Sequence, residues 1–409
     1  MSTPVLSDPD SLKMSRSPIF YTGKNNTLTN DSLDAMTLDL KIWTGNRASP
    51  PSDFNYELVK NYSVDEVINF EISDLIRSEF EHDFNIYNAQ GYEQSPAGEI
   101  LWVGASGQWT YSNNGAALTT ANWGSLTANA FLASNGWSPI NLPGNNAVTT
   151  PVLAVARDRY CLASNYEALA IYNSVGNDLG EIEISWENGD ADTFYVSAIS
   201  AAPPDPTSTY NSRDFVIYAG VGPANLENNP YLDNVILPSN QPNGGVGSYY
   251  DVILKDTGGS EITSVRYYLT CEPKYTPYQV AFVNRYGVMD YITFFKRTDE
   301  TGAFTNESFQ RSIYADGFTI PSLGAAQYQD FNINSRNSMA MNTGFVPETY
   351  ADVMEDLMMS ETVAIKIGSN WIAAFPDRGS IDYVKEVNER LINYQVTFRM
   401  AFNERTLIR

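Results

Sequence analysis

Apolar and polar residues alternate with a period of two through many stretches of this chain, the pattern of strands with one buried face. In "AMTLDLKIW", Met36, Leu38, Leu40 and Ile42 point one way and Thr37, Asp39 and Lys41 the other, which predicts a strand. "VINFEISDLIRSEF" reads as a strand ending near Ile72, followed by a short helix whose first amides the Ser73 hydroxyl can cap. Ile182, Ile184 and Trp186 alternate up to Asn188-Gly189, a pair suited to a type I′ turn, so 181–196 is a predicted hairpin. "DFVIYAGVG", "YYDVILK" and "ITSVRYYLT" read as further strands. Near the C-terminus Tyr394, Val396, Phe398, Met400 and Phe402 alternate with Gln395, Thr397, Arg399 and Ala401.

One stretch has helical spacing instead. In "PETYADVMEDLMMSE", Tyr350, Val353, Met354, Leu357 and Met358 form a single apolar stripe, with Pro347 suited to the first turn.

"CEPKYTPYQVAFVNRYGVMDYITFFKR" departs from simple alternation. Tyr278, Val280 and Phe282 lie against Gln279, Ala281 and Val283, the loop Asn284-Arg285-Tyr286-Gly287 turns the chain, and Val288, Ile292 and Phe294 return against Met289, Tyr291 and Phe295. The returning strand has two apolar faces. Tyr278, Phe282, Tyr291, Phe294 and Phe295 therefore mark either a strand buried between two layers of its own core or a subunit interface.

These elements predict a mainly β protein of antiparallel β-sandwich-like domains with a few short helices. Residues 1–17, rich in Ser and Pro, read as an extended N-terminal arm that orders on assembly. An N-terminal β domain is expected over 18–200 and a Pro-rich linker at 201–212 ("AAPPDPTSTYNS"). A C-terminal β domain follows at 213–409, with a helix at about 347–359. From Ile100 to Ala156 there is no charged residue, and this Asn/Gly/Ala-rich run reads as an insertion in the first domain. Its Trp109, Trp123 and Trp137 are candidate glycan or interface contacts, against core and loop packing as the alternative.

Composition narrows the function. The chain has 48 acidic and 25 basic residues, a net charge of −23, and no run of Lys and Arg, which argues against nucleic acid. Aromatic residues make up 13%, with 26 tyrosines, a composition of β-rich proteins with extensive interfaces. No window is apolar enough for a membrane span and the N-terminus lacks a secretory signal, so a soluble product of the cytoplasm is expected. Cys161 and Cys271 allow one disulfide, but two buried thiols suit the residue type better.

Catalytic signatures are sparse. His82, the only histidine, lies in "EFEHDF" and reads as exposed or capping rather than as a general base. Gly220-Val221-Gly222 lacks the third glycine and long helix of a dinucleotide site, and "ENGDAD" lacks the spacing of a calcium loop. The expectation is a protein that is not an enzyme and uses no metal or cofactor.

Seven stretches occur in an order that resembles a known family: "SRSPIF", "LDLKIWTG", "FEISDLIRSEFEHDF", "YAGVGPANL", the hairpin above, "NTGFVPETYADVMEDLMMSETV" and "EVNERLINYQVTFRMAFNERTLIR". Together they resemble a family of uncharacterised virion structural proteins of tailed bacteriophages, common in phages of marine bacteria and of Bacteroidetes. The likeness runs from about Ser15 to Arg409. It implies a structural role in the tail, baseplate or adsorption apparatus of the virion, after synthesis in the host cytoplasm. The partners implied are further copies of the chain in a ring or trimer and other virion proteins. A receptor- or glycan-binding adhesion module and a capsid decoration or head-fibre protein are the alternative readings.

Overall fold

The computed structural model describes residues 5–6, 12–24, 32–45, 47–61, 67–82, 84, 91–96, 98–112, 119–123, 130–138, 147–173, 179–196, 215–271, 274–310, 328–378, 391–402 and 405–406. The fold is mainly β, in antiparallel sheets with a few short helices, as the alternation predicts. Two pairings among the described residues are parallel: Phe131–Ser134 on Leu12–Met14, and Asp158–Cys161 on Glu261–Leu269.

The chain divides into two units: Met1–Cys271 with Val283–Tyr291, and Glu272–Phe282 with Ile292–Arg409. The first holds two sandwiches. In one, a three-stranded sheet contributes Tyr21, Ile68 and Phe70. A seven-stranded sheet centred on Ser32–Trp43 and Ile100–Ser112 contributes Met36, Leu38, Leu40, Leu101 and Val103 to the same core. In the other, Ala168–Asn173 and Phe215–Gly220 pack Leu169, Ile171 and Ile217 against Ile182, Tyr250, Val252 and Tyr267 of a five-stranded sheet. Tyr250 and Tyr267 stack at 5.2 Å, and Trp186 tilts onto Tyr250 at 4.9 Å.

Several expectations change here. Leu12–Met14 is no free arm: it is a buried inner strand between Ala147–Val148 and Phe131–Ser134. Three residues are too short to show a period, so composition hid the strand. Ile100–Ser112 is no insertion but a central strand flanked on both edges. Its lack of charge follows from burial of residues 100–105. The Pro-rich segment 201–212 lies outside the described residues. Pairing crosses it, since Phe215–Gly220 joins Ala168–Asn173 and Tyr249–Asp256 joins Leu179–Trp186, so both sides of 201–212 belong to one unit.

Two local details also differ. Ser73 begins its helix, but Ile72 is the capping position and the Ser73 hydroxyl donates to Glu71 instead. In the 181–196 hairpin only Gly189 has positive φ (+93°), and the Trp186 amide donates to the Asp190 carbonyl. The connection is thus a three-residue loop closed by a left-handed glycine rather than a type I′ turn.

One sheet runs in the order Met289–Phe294, Tyr278–Val283, Val363–Ile367, Asn370–Pro376, Leu391–Met400, Tyr328–Pro347 and Asp299–Gln310, and all of it but Val283 and Met289–Tyr291 belongs to the second unit. Tyr350–Met359 forms the predicted helix and buries Tyr350, Val353, Met354 and Leu357; Pro347 closes the preceding strand instead of entering the helix.

Candidate functional site

The tip of the 278–294 hairpin, Val283–Tyr291, belongs to the first unit and meets a cluster of buried polar side chains there. Gly287 takes φ +78°, which the turn needs and which a side chain resists. The Asn284 side-chain carbonyl accepts the Tyr286 amide at 3.0 Å, while its amide group donates to the Leu153 carbonyl at 2.7 Å. The loop presses on residues 135–137. The Trp137 amide donates to the Arg285 carbonyl at 2.7 Å, and a Cβ on Gly136 would lie 2.5 Å from that oxygen. The Arg285 guanidinium lies 5.5 Å from the centre of the Trp137 ring.

Beyond the loop, three consecutive residues are gripped by buried side chains. The Met289 amide donates to the Tyr218 hydroxyl at 2.8 Å, and that hydroxyl donates to Glu99 Oε1 at 2.6 Å. Arg159 Nη2 donates to Asp290 Oδ1 at 2.6 Å and to the Tyr291 carbonyl at 2.9 Å. Arg159 Nε reaches Glu167 Oε2 at 3.3 Å, and the Glu167 amide donates to Asn225. Glu99, Glu167, Asp290 and Arg159 are all buried. Buried charges persist only when paired and hydrogen-bonded.

Electrostatics follows from that burial. Desolvation pushes the Glu167 carboxyl up to about 7, although Arg159 pulls it down. Burial opposes the charge on Arg159, but Asp290, Tyr267 and Glu167 outweigh it and hold the guanidinium well above its usual range. The Tyr218 hydroxyl is raised first by burial and then by Glu99.

His82 belongs to the same region. Its side chain is 6% exposed, with Nδ1 3.6 Å from Glu99 Oε1 and Nε2 3.4 Å from Asn135 Nδ2. The expectation of an exposed histidine is corrected. Its acidic flanks suggested solvent, but the Glu99 and Asn135 that enclose it are distant in sequence. Glu99 Oε2 and His82 Nδ1 make no hydrogen bond within the structure. Among the described residues no group of three or more His, Cys, Asp or Glu is placed to hold a metal ion. The arrangement positions a backbone segment and is closed to solvent.

The residues singled out from sequence fall in three environments. Phe282, Tyr291, Phe294 and Phe295 are buried within the chain itself, so they do not form a subunit interface; Tyr278 is half-buried. Phe294 meets Phe398 edge-on at 5.6 Å. Trp109 is 3% exposed in the first sandwich core, which leaves no ring face for a sugar. Trp137 is half-buried beside Arg285. Trp123 lies on a strand paired with that of Trp109, and its side chain is outside the described residues. Cys161 is buried and Cys271 exposed, both as free thiols; the expected burial of Cys271 does not hold, because it sits beyond the end of its strand.

Sequence reasoning missed an open cavity of about 670 Å³ in the first unit, lined by Trp43, Phe54 and Leu101 together with Asp53, Glu79 and Glu81. Its lining comes from separate loops and strands, so no contiguous motif marks it. No protein-family model matches the chain, and no curated protein matches it.

Proposed function

We propose that the chain is a structural component of a tailed bacteriophage virion, in the tail, baseplate or adsorption apparatus, acting through subunit interfaces and not catalysis. The ordered resemblance of the seven stretches motivates this reading. The observation that carries it is the ribbon of Asp299–Gln310 and Tyr328–Pro347. All twelve residues of its outer strand are exposed, and Phe304, Phe309 and Tyr328 are 69%, 44% and 65% exposed. Exposed aromatics on an extended strand are what an assembly contact requires. Peptide mass spectrometry of purified tailed particles, with gold-labelled antibody imaging, tests the role. Labelling of tails or baseplates supports it, and absence of the chain from intact particles overturns it.

The cavity at Trp43 and Phe54 favours a second reading, a glycan-binding adhesion module. Its carboxylates accept hydrogen bonds from sugar hydroxyls, and exposed Phe54 offers a ring face. Glycan-array binding that Asp53→Asn or Glu81→Gln weakens supports this role; an unbound array removes it.

A further inference from the structure

The sheet that runs from Met289–Phe294 to Asp299–Gln310 ends in two very different edge strands. Met289–Phe294 is buried at all six positions, whereas Asp299–Gln310 is exposed at all twelve. Among the described residues, Asp299–Gln310 pairs only with Tyr328–Pro347, so no described strand covers its other edge. A bare edge is usually blunted by lysine, proline or a bulge. None of these protects it: the strand reads "DETGAFTNESFQ", and the one irregularity in the pairing, between Thr305 and Glu307, places the extra residue on the facing strand.

We propose that Asp299–Gln310 pairs antiparallel with the same strand of a second copy, about a two-fold axis beside Phe304. The occupant is another copy because the strand is self-complementary. With Phe304 opposite its own counterpart, Asp299 faces Phe309, Glu300 faces Ser308 and Glu307 faces Thr301, so no carboxylate opposes another. Sliding the axis to Ala303 sets Asp299 against Glu307, which like-charge repulsion disfavours. Sliding it to Thr305 exchanges the Phe–Phe pair for Phe against Asn306. A head-to-tail arrangement needs a second open edge, and the buried Met289–Phe294 strand does not offer one. The inference rests on the assembly reading for its biological role and supplies that reading with a surface and a symmetry.

Light scattering and oxidative cross-linking of the full chain test the pairing. A dimer is expected at micromolar concentration, tighter with added salt because each copy carries a charge of −23. Phe304→Lys, at an exposed position, weakens it at least tenfold with an unchanged circular dichroism spectrum. In a Cys271→Ser background, Phe304→Cys gives a disulfide-linked dimer. Thr301→Cys alone does not, but mixed with Glu307→Cys it does. A monomer throughout, a dimer indifferent to Phe304→Lys, or a Thr301→Cys homodimer overturns the pairing. Mass spectrometry of particles is independent of these outcomes. A monomer found in virions removes only the edge pairing, and a dimer absent from them removes only the virion role.

Discussion

Arg159 Nη2 lies 2.6 Å from Asp290 Oδ1, with both side chains 6% exposed, and the two residues are 131 positions apart. The pair fixes the hairpin tip to the core of the first unit. Such a pair is worth little against an apolar replacement but is costly to break from one side. Arg159→Ala, which leaves the buried Asp290 carboxylate without its counter-charge and Glu167 without its hydrogen bond, should destabilise the unit by about 3–5 kcal/mol. Arg159→Met combined with Glu167→Leu and Asp290→Leu should recover much of that loss. Thermal melts of the three proteins check both statements.

The turn glycines separate strain from collision. A Cβ on Gly287 would strike the backbone of residues 135–136 at a φ of +78°, whereas Gly189, at +93°, has nothing within 4 Å. Gly189→Ala should cost about 1 kcal/mol through backbone strain alone. Gly287→Ala should cost clearly more, on the order of 3 kcal/mol or above. Denaturant midpoints of the two variants check the ordering.

Stability should fall as pH rises toward neutrality because of Glu167. Its folded carboxyl titrates at about 7, raised above its unfolded value, so the folded state holds a proton that the unfolded state has already lost. The favourable term is complete below the unfolded value near 4.5 and is lost as pH rises through about 7. The slope is on the order of 1 kcal/mol per pH unit across that window. Glu167→Gln should flatten it by that amount, as read from melts between pH 5 and 7.5.

The two thiols should react at very different rates. Burial raises the Cys161 thiol well above its usual range, and Cys271 is exposed. An aromatic disulfide reagent should titrate one thiol promptly in the native protein and two in denaturant. Cys271→Ser should abolish the prompt reaction.

The strands were legible where one face is buried over many residues. Met36, Leu38, Leu40 and Ile42 alternate and are all core, and the Tyr350–Met359 helix buries four of the five residues of its predicted stripe, with Met358 half-buried. Burial of Phe282 and Phe294 was also foreshadowed by the two apolar faces of the hairpin. The polar cluster was not. Arg159, Glu167 and Asp290 carry no periodicity, and Glu99 meets Tyr218 across 119 positions. A lone acid within a strand looks the same in sequence whether it faces water or a guanidinium. Leu12–Met14 escaped notice for the opposite reason, being too short to repeat anything.

The hairpin tip imposes an order on biosynthesis. Val283–Tyr291 completes the first unit, yet it emerges from the ribosome only after Cys271 and the first residues of the second unit. Domains tend to fold N-terminal first as they are made. Here, until Asp290 arrives, the nascent first unit holds Arg159 with one of its two carboxylates and leaves Tyr218 without the Met289 amide. A translational pause or a nick between Cys271 and Val283 would therefore strand an incomplete core, even with every earlier residue in place.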